Sequence, residues 1–208
     1  MFKKTQRRAA VGFTLLELLF VIGIIAILMG ITASGYIAYI RHARETRCHD
    51  KIVQAEIALS KMKGMTGWPS IIINNVKNNE GLLDENVCRK FTHSSNIFTQ
   101  TENASHLLRG ADRFGIVTVW AETFLEENPK ASKTTDIPGG GTVRDHIFRF
   151  SVDKEDSPGV CVANVGGVTI KVRKTAIVWC CGANGEFEPY GADGSDDIYS
   201  WTDDQVVK

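Results

Sequence analysis

The chain has 208 residues, and its 24 basic side chains balance 24 acidic ones. Four of the basic residues, Lys3, Lys4, Arg7 and Arg8, fall in the first twelve positions, so the remainder is mildly acidic and lacks the basic excess of a nucleic-acid binder. It has no GxxxxGK[ST] phosphate loop, no Gly-x-Ser-x-Gly elbow and no HExxH helix, so the usual signatures of nucleotide hydrolysis, acyl transfer and zinc proteolysis are missing.

The basic leader is followed by a long apolar run. From Phe13 to Ile40 the only formally charged side chain is Glu17, and a helix of about 20 apolar residues is enough to cross a bilayer. An unpaired carboxylate at the bilayer centre costs roughly 2.5–3.5 kcal/mol or more, so Glu17 calls for a partner and a role. The positive-inside rule places the leader on the cytoplasmic side. A secretory signal peptide cut near Ala33 shares the basic start and apolar core, but a carboxylate inside that core argues against it.

Gly12, Phe13 and Glu17, followed by Leu18 to Ile31 without a polar side chain, resemble the N-terminus of type IV prepilins and of the pseudopilins of type II secretion systems. The resemblance implies that residues 1–12 are a leader removed by a prepilin peptidase after Gly12. Phe13 would then become the N-methylated first residue, and Glu17 would pair with the N-terminal amine of a neighbouring subunit during assembly.

Beyond Ile40, charge returns with Arg41, Arg44, Glu45, Arg47, Asp50, Lys51 and Glu56, while Ile52, Ala55, Leu59 and Met62 recur at helical spacing. The pattern predicts a transmembrane and assembly helix over 13–40 and an amphipathic continuation over 41–68, its apolar stripe facing a globular domain. The helix is expected to end where Gly64, Gly67 and Pro69 interrupt it. Ser34-Gly35 stands where many pilins carry a proline and marks a candidate kink.

Residues 69–208 are then expected to form one domain, since about 140 residues build a single modest core. The β-branched run Ile71-Ile72-Ile73 reads as strand-like, and a helix is expected near Leu82 to Phe91. Strands are predicted over Ile116 to Trp120, Ile147 to Val152, Val160 to Val165, Val168 to Val172 and Ala176 to Cys181. Gly166-Gly167 is a hairpin turn, and Pro138-Gly139-Gly140-Gly141 is a flexible connection. The predicted fold is α+β, pilin-like, with the long N-terminal helix packed on an antiparallel sheet.

Asp112-Arg113-Phe114-Gly115, Ile177 to Gly185, and Ala192-Asp193-Gly194-Ser195-Asp196-Asp197-Ile198 with Trp201 resemble the turn, strand and closing loop of major pseudopilins. Phe114 stands where that family has tryptophan, and Asn184 where it has aspartate. From Ala176 onward, Glu186, Glu188, Asp193, Asp196, Asp197, Asp203 and Asp204 face a single basic residue, Lys208. By its residues alone this is a solvated acidic loop. The resemblance implies calcium, which takes six to eight oxygen ligands in flexible geometry, with Asp193, Asp196 and Asp197 as ligands and Asn184 as a neutral one.

Cys48, Cys88, Cys161, Cys180 and Cys181 allow up to two disulfides in an oxidising compartment, with connectivity open. Cys180 and Cys181 are adjacent in a predicted strand and should face opposite sides. Cys48-His49 lacks a zinc-ligand spacing.

The resemblance implies a non-enzymatic structural subunit of a type II secretion-like pseudopilus. Such a subunit is single-pass in a bacterial inner membrane, with its N-terminus cytoplasmic and its domain periplasmic. Expected partners are copies of itself, other pseudopilins, the prepilin peptidase and an inner-membrane assembly platform, with no nucleic acid. The alternatives are a type IV pilin for adhesion, motility or DNA uptake, and a membrane-anchored periplasmic calcium-binding or enzymatic domain that does not polymerise.

Overall fold

The computed structural model describes residues 14–63, 67–88 and 114–207. The leader, the Gly12-Phe13 junction, the Gly64 break, the Asp112-Arg113 pair and the expected helical positions 89–91 lie outside them. Helix α1, Leu15–Met62, is 48 residues long, about 72 Å at 1.5 Å per residue. It runs through Ser34-Gly35 without a break and stops just before the predicted glycines. The chain forms two compact units, one up to Ala43 and one from Arg44 to Lys208.

In the first unit α1 is long and apolar enough to cross a membrane, and no part of its most apolar stretch is buried among the described residues. Leu15, Leu16, Phe20, Ile27, Met29 and Tyr36 are all exposed. Thr32 satisfies its hydroxyl within the helix, donating to the carbonyls of Leu28 at 2.9 Å and Met29 at 3.2 Å. That is the local solution a hydroxyl needs where no water is available.

In the second unit the same helix buries a narrow stripe. Cys48, Ile52, Ala55 and Leu59 are at most 1% exposed, and their spacing of three to four places them on one face. Met62 packs at the edge of the same cluster. The stripe lies on a four-stranded antiparallel sheet of order β1-β2-β5-β6, made of Gly81–Leu82, Arg149–Val152, Ala176–Cys180 and Ile198–Tyr199. Phe150 pairs with Val178 and Val152 with Ala176. Because side chains alternate across a strand, Phe150, Val152, Ala176, Val178 and Cys180 face α1, while Ile177 and Trp179 join a second cluster on the opposite face.

That second face is covered by the hairpin β3-β4, Cys161–Val165 and Val168–Val172. Gly166 and Gly167 form its turn with φ of 54° and 84°, the doubly positive geometry of a type I′ hairpin. The strands predicted for 147–152, 160–165, 168–172 and 176–181 are therefore present, each within a residue or two of its expected ends. Cys180 faces α1 and Cys181 the other way, its thiol donating to the Asp145 carbonyl at 3.3 Å.

Two local expectations are corrected. Ile71-Ile72-Ile73 belongs to helix α2, Ser70–Asn75, where Pro69 accepts the first N–H bonds and only Ile72 is buried. Tertiary packing of one side chain outweighs the β-propensity of three. Ile116 to Trp120 is not a strand: Val117 makes one bridge to Ile147, and Thr118 then caps helix α3, Val119–Glu127, by accepting the Ala121 N–H. The helix expected near Leu82 to Phe91 is present among the described residues over 85–88, after β1, and is begun by Asp84, which accepts the N–H groups of Asn86 and Val87.

Polar links fasten α1 to the rest of its unit. Lys51 and Glu122 form a buried pair at 2.9 Å between α1 and α3, with Lys51 also reaching the Val117 carbonyl. Lys174 bonds Glu56 at 2.8 Å and the Ser200 carbonyl. Asp153, 2% exposed, gathers Lys63, the Trp68 indole N–H and the Gly159 N–H.

Candidate functional site

Glu17 sits in the first turn of α1, and its carboxylate is engaged locally. Oε2 accepts both the N–H and the hydroxyl of Thr14, each at 2.9 Å, while the Thr14 hydroxyl oxygen accepts the Glu17 N–H at 3.3 Å. This is a reciprocal capping box, satisfying helix-end donors that otherwise lack partners. The T-x-x-E spacing of Thr14 to Glu17 carries that signal, so a capping role can be read alongside the lone-carboxylate role. Gly12 and Phe13 lie outside the described residues.

The acidic loop follows β5. Its folding depends on close backbone approach: a side chain at Gly140 would overlap the Asn184 carbonyl, and one at Gly166 would overlap Glu188. The glycine run 139–141, expected to be flexible, is instead seated against residues 183–185, and Gly140 has φ of 136°. His146 anchors it from beneath, Nε2 donating to the Gly140 carbonyl at 3.0 Å and Nδ1 accepting from Thr118 at 2.8 Å. Burial pushes His146 below the usual imidazole range, which suits a neutral ring with one donor and one acceptor.

Within this loop the carboxylates of Glu188, Asp196 and Asp197 come together, with one oxygen of each lying within 4.8 Å of the others. Asp196 Oδ2 accepts the Ala183 N–H at 2.8 Å, and Asp197 Oδ2 accepts the Glu188 N–H at 3.1 Å and the Tyr199 hydroxyl at 3.2 Å. Their other oxygens, Asp196 Oδ1 and Asp197 Oδ1, are buried without a hydrogen-bond partner. Asn184 enters through its side-chain N–H₂, which donates to Glu188 Oε1 at 2.5 Å. Asp193 is exposed and stands apart from the three. Two of the expected ligands thus meet, Asn184 touches the group, and Glu188 takes the place assigned to Asp193.

Electrostatics fit the geometry. Burial, and then the charge of Glu188, push the Asp197 carboxyl up to about 7. Like charges held this close favour a shared proton or a cation, and a group of three carboxylates can chelate a divalent ion. Sequence reasoning does not single out Glu188, because the eight-residue gap to Asp196 matches no metal motif. Only the turn between them brings it back.

No family model, curated protein or solved structure matches this chain.

Proposed function

We propose that this chain is a structural subunit of a type II secretion-like pseudopilus, cut between Gly12 and Phe13 and assembled through Glu17. One observation carries the reading: a single helix leaves its first half apolar and uncovered, with one carboxylate at its start, and turns its second half into the spine of a folded domain. A subunit that passes from bilayer to fibre needs that division, because its apolar half must be covered first by lipid and then by copies of itself or other pseudopilins. The role is structural and not catalytic, and prepilin peptidase and an inner-membrane platform are the proposed processing and assembly partners. The domain is placed in the periplasm and the leader in the cytoplasm. The carboxylate cluster is proposed to take calcium, whose tolerance for irregular oxygen donors fits a loop of side chains and free carbonyls.

Intact-mass measurement and N-terminal sequencing of protein from native membranes are expected to show N-methyl-phenylalanine at position 13. A mature chain starting at Met1, or near Ser34, contradicts the proposal.

The capping box favours a second reading, a membrane-anchored domain that does not polymerise, because Glu17 already has a partner in its own chain. Both Thr14 bonds end on Oε2, and on the assembly reading Oε1 is the oxygen that meets an amine. The two readings part on whether the charge of Glu17 matters once its hydrogen-bonding capacity is kept.

A further inference from the structure

We propose that Cys48 and Cys180 close a disulfide that ties helix α1 to strand β5 through the middle of the core. All five cysteines are buried thiols, but their partners sort them into two groups. Cys88 donates to the Leu83 carbonyl at 3.4 Å, Cys161 to the Lys174 carbonyl at 3.0 Å, and Cys181 to the Asp145 carbonyl at 3.3 Å. Cys180 instead has Cys48 as its side-chain partner. Both residues are 0% exposed and belong to one apolar cluster, one on the helix stripe and one on the sheet face beneath it.

Within the closed core Cys48 also has polar neighbours. Its sulfur also accepts the N–H of Val119, the first residue of α3, at 3.3 Å, and the Lys51 ammonium lies nearby. The bond from Cys180, then the Val119 N–H and Lys51, hold Cys48 below the usual thiol range against the opposing effect of burial. Burial, and then the bond to Cys48, push Cys180 well above it.

The chemistry needs an oxidant of the disulfide class, either a small disulfide or the active-site disulfide of a thiol oxidoreductase. The Cys48 thiolate attacks one oxidant sulfur, forming a mixed disulfide and releasing the first oxidant thiolate. Cys180 then loses its proton and attacks the Cys48 sulfur, forming the new S–S bond and expelling the second thiolate. Two electrons pass to the oxidant, and the cysteine pair gives up two protons. With neither sulfur exposed, exchange belongs to the folding chain before its core closes. The inference rests on the export reading only for the compartment in which oxidation takes place.

The test uses the full chain in detergent, reduced and unfolded, then refolded in a glutathione redox buffer, blocked with an alkylating agent and mapped by mass spectrometry without reduction. The expected result is a peptide containing Cys48 joined to the peptide that begins after Lys174, with Cys88 and Cys161 alkylated. Because that second peptide holds both Cys180 and Cys181, Cys181→Ser must keep the crosslink and Cys180→Ser must lose it. The crosslink closes a loop of roughly 130 residues, so the oxidised chain is expected to melt roughly 10 °C above the reduced one. Should Cys180→Ser fail to fold, the map of the unaltered chain and its Cys181→Ser variant decides. Recovery of Cys48 as an alkylated thiol in the refolded oxidised protein, or joined to any other cysteine, overturns the proposal. A chain that never polymerises still returns the crosslink, so this outcome is separate from the assembly reading.

Discussion

From Leu15 to Tyr39 helix α1 exposes leucine, isoleucine, phenylalanine and tyrosine, whereas from Cys48 to Leu59 it buries one face, with Cys48, Ile52, Ala55, Ala58 and Leu59 against a sheet. Backbone geometry is the same in both halves; what differs is which surface covers the side chains. An apolar stripe confined to one face is matched by the chain's own sheet. An apolar surface all round is matched by nothing among the described residues, as in a helix long and apolar enough to cross a membrane. Stability of the domain and competence for the membrane are therefore written in separate parts of one helix.

Truncation should break this comparison most sharply. Leu59→Ala, emptying a site that is 0% exposed, is expected to destabilise the domain by about 2–5 kcal/mol. Leu28→Ala, made in the uncovered half where Leu28 is 56% exposed, is expected to leave domain melting within about 0.5 kcal/mol. Melting of the detergent-solubilised chain, followed by the near-ultraviolet signal of its tryptophans, compares the two. Equal losses would mean that the halves are not separate in energy.

Calcium is expected to give a smaller effect, confined to the domain. A ligand that binds only the folded state stabilises by about 2.7 kcal/mol at a hundredfold excess over Kd, so melting should rise with calcium relative to chelator, and magnesium should substitute poorly. Asp196→Asn with Asp197→Asn should abolish the rise, and Asp193→Asn should leave it unchanged. The Asp197 carboxyl titrates at about 7 in the folded state, against 3.8 ordinarily, so the folded state binds its proton more tightly than the unfolded state does. Without cation, its contribution is therefore fully present below about pH 4 and is lost as pH rises to about 7. Calcium needs the ionised form, so its stabilising effect should grow across the same window and fade toward acid. A calcium effect independent of pH, or lost in Asp193→Asn, would remove the three-carboxylate site.

How much of this was readable in sequence depends on whether a feature is local. The end of α1 at Met62, the stripe Ile52, Ala55 and Leu59, and the Gly166-Gly167 turn rest on periodicity and turn chemistry, and all stand where the sequence places them. Ile71 to Ile73 misleads because helix α2 depends on Pro69 at its start and on the burial of Ile72 alone. Residues 139–141 mislead in the other direction: their glycines serve close contact with 183–185, and sequence does not announce which backbone will approach. At the acidic loop, composition identifies the region but not the ligands. Asp193 and Glu188 look alike as carboxylates in a row of seven, and only the path of the loop separates the exposed one from the one that meets Asp196 and Asp197.

The most direct measurement of the central claim is fibre assembly by Glu17→Gln in native membranes, beside wild type and Thr14→Ala. Glutamine at the third helical position still completes a capping box, so Glu17→Gln keeps the local role of the side chain and removes only its charge. Thr14→Ala does the reverse, at a cost to the helix end of about 1 kcal/mol. Glu17→Gln is expected to be cut after Gly12 and to fold but not to enter fibres, while Thr14→Ala still assembles. Normal fibres from Glu17→Gln, or loss of assembly only in Thr14→Ala, would show that Glu17 serves the helix cap and not the neighbouring subunit.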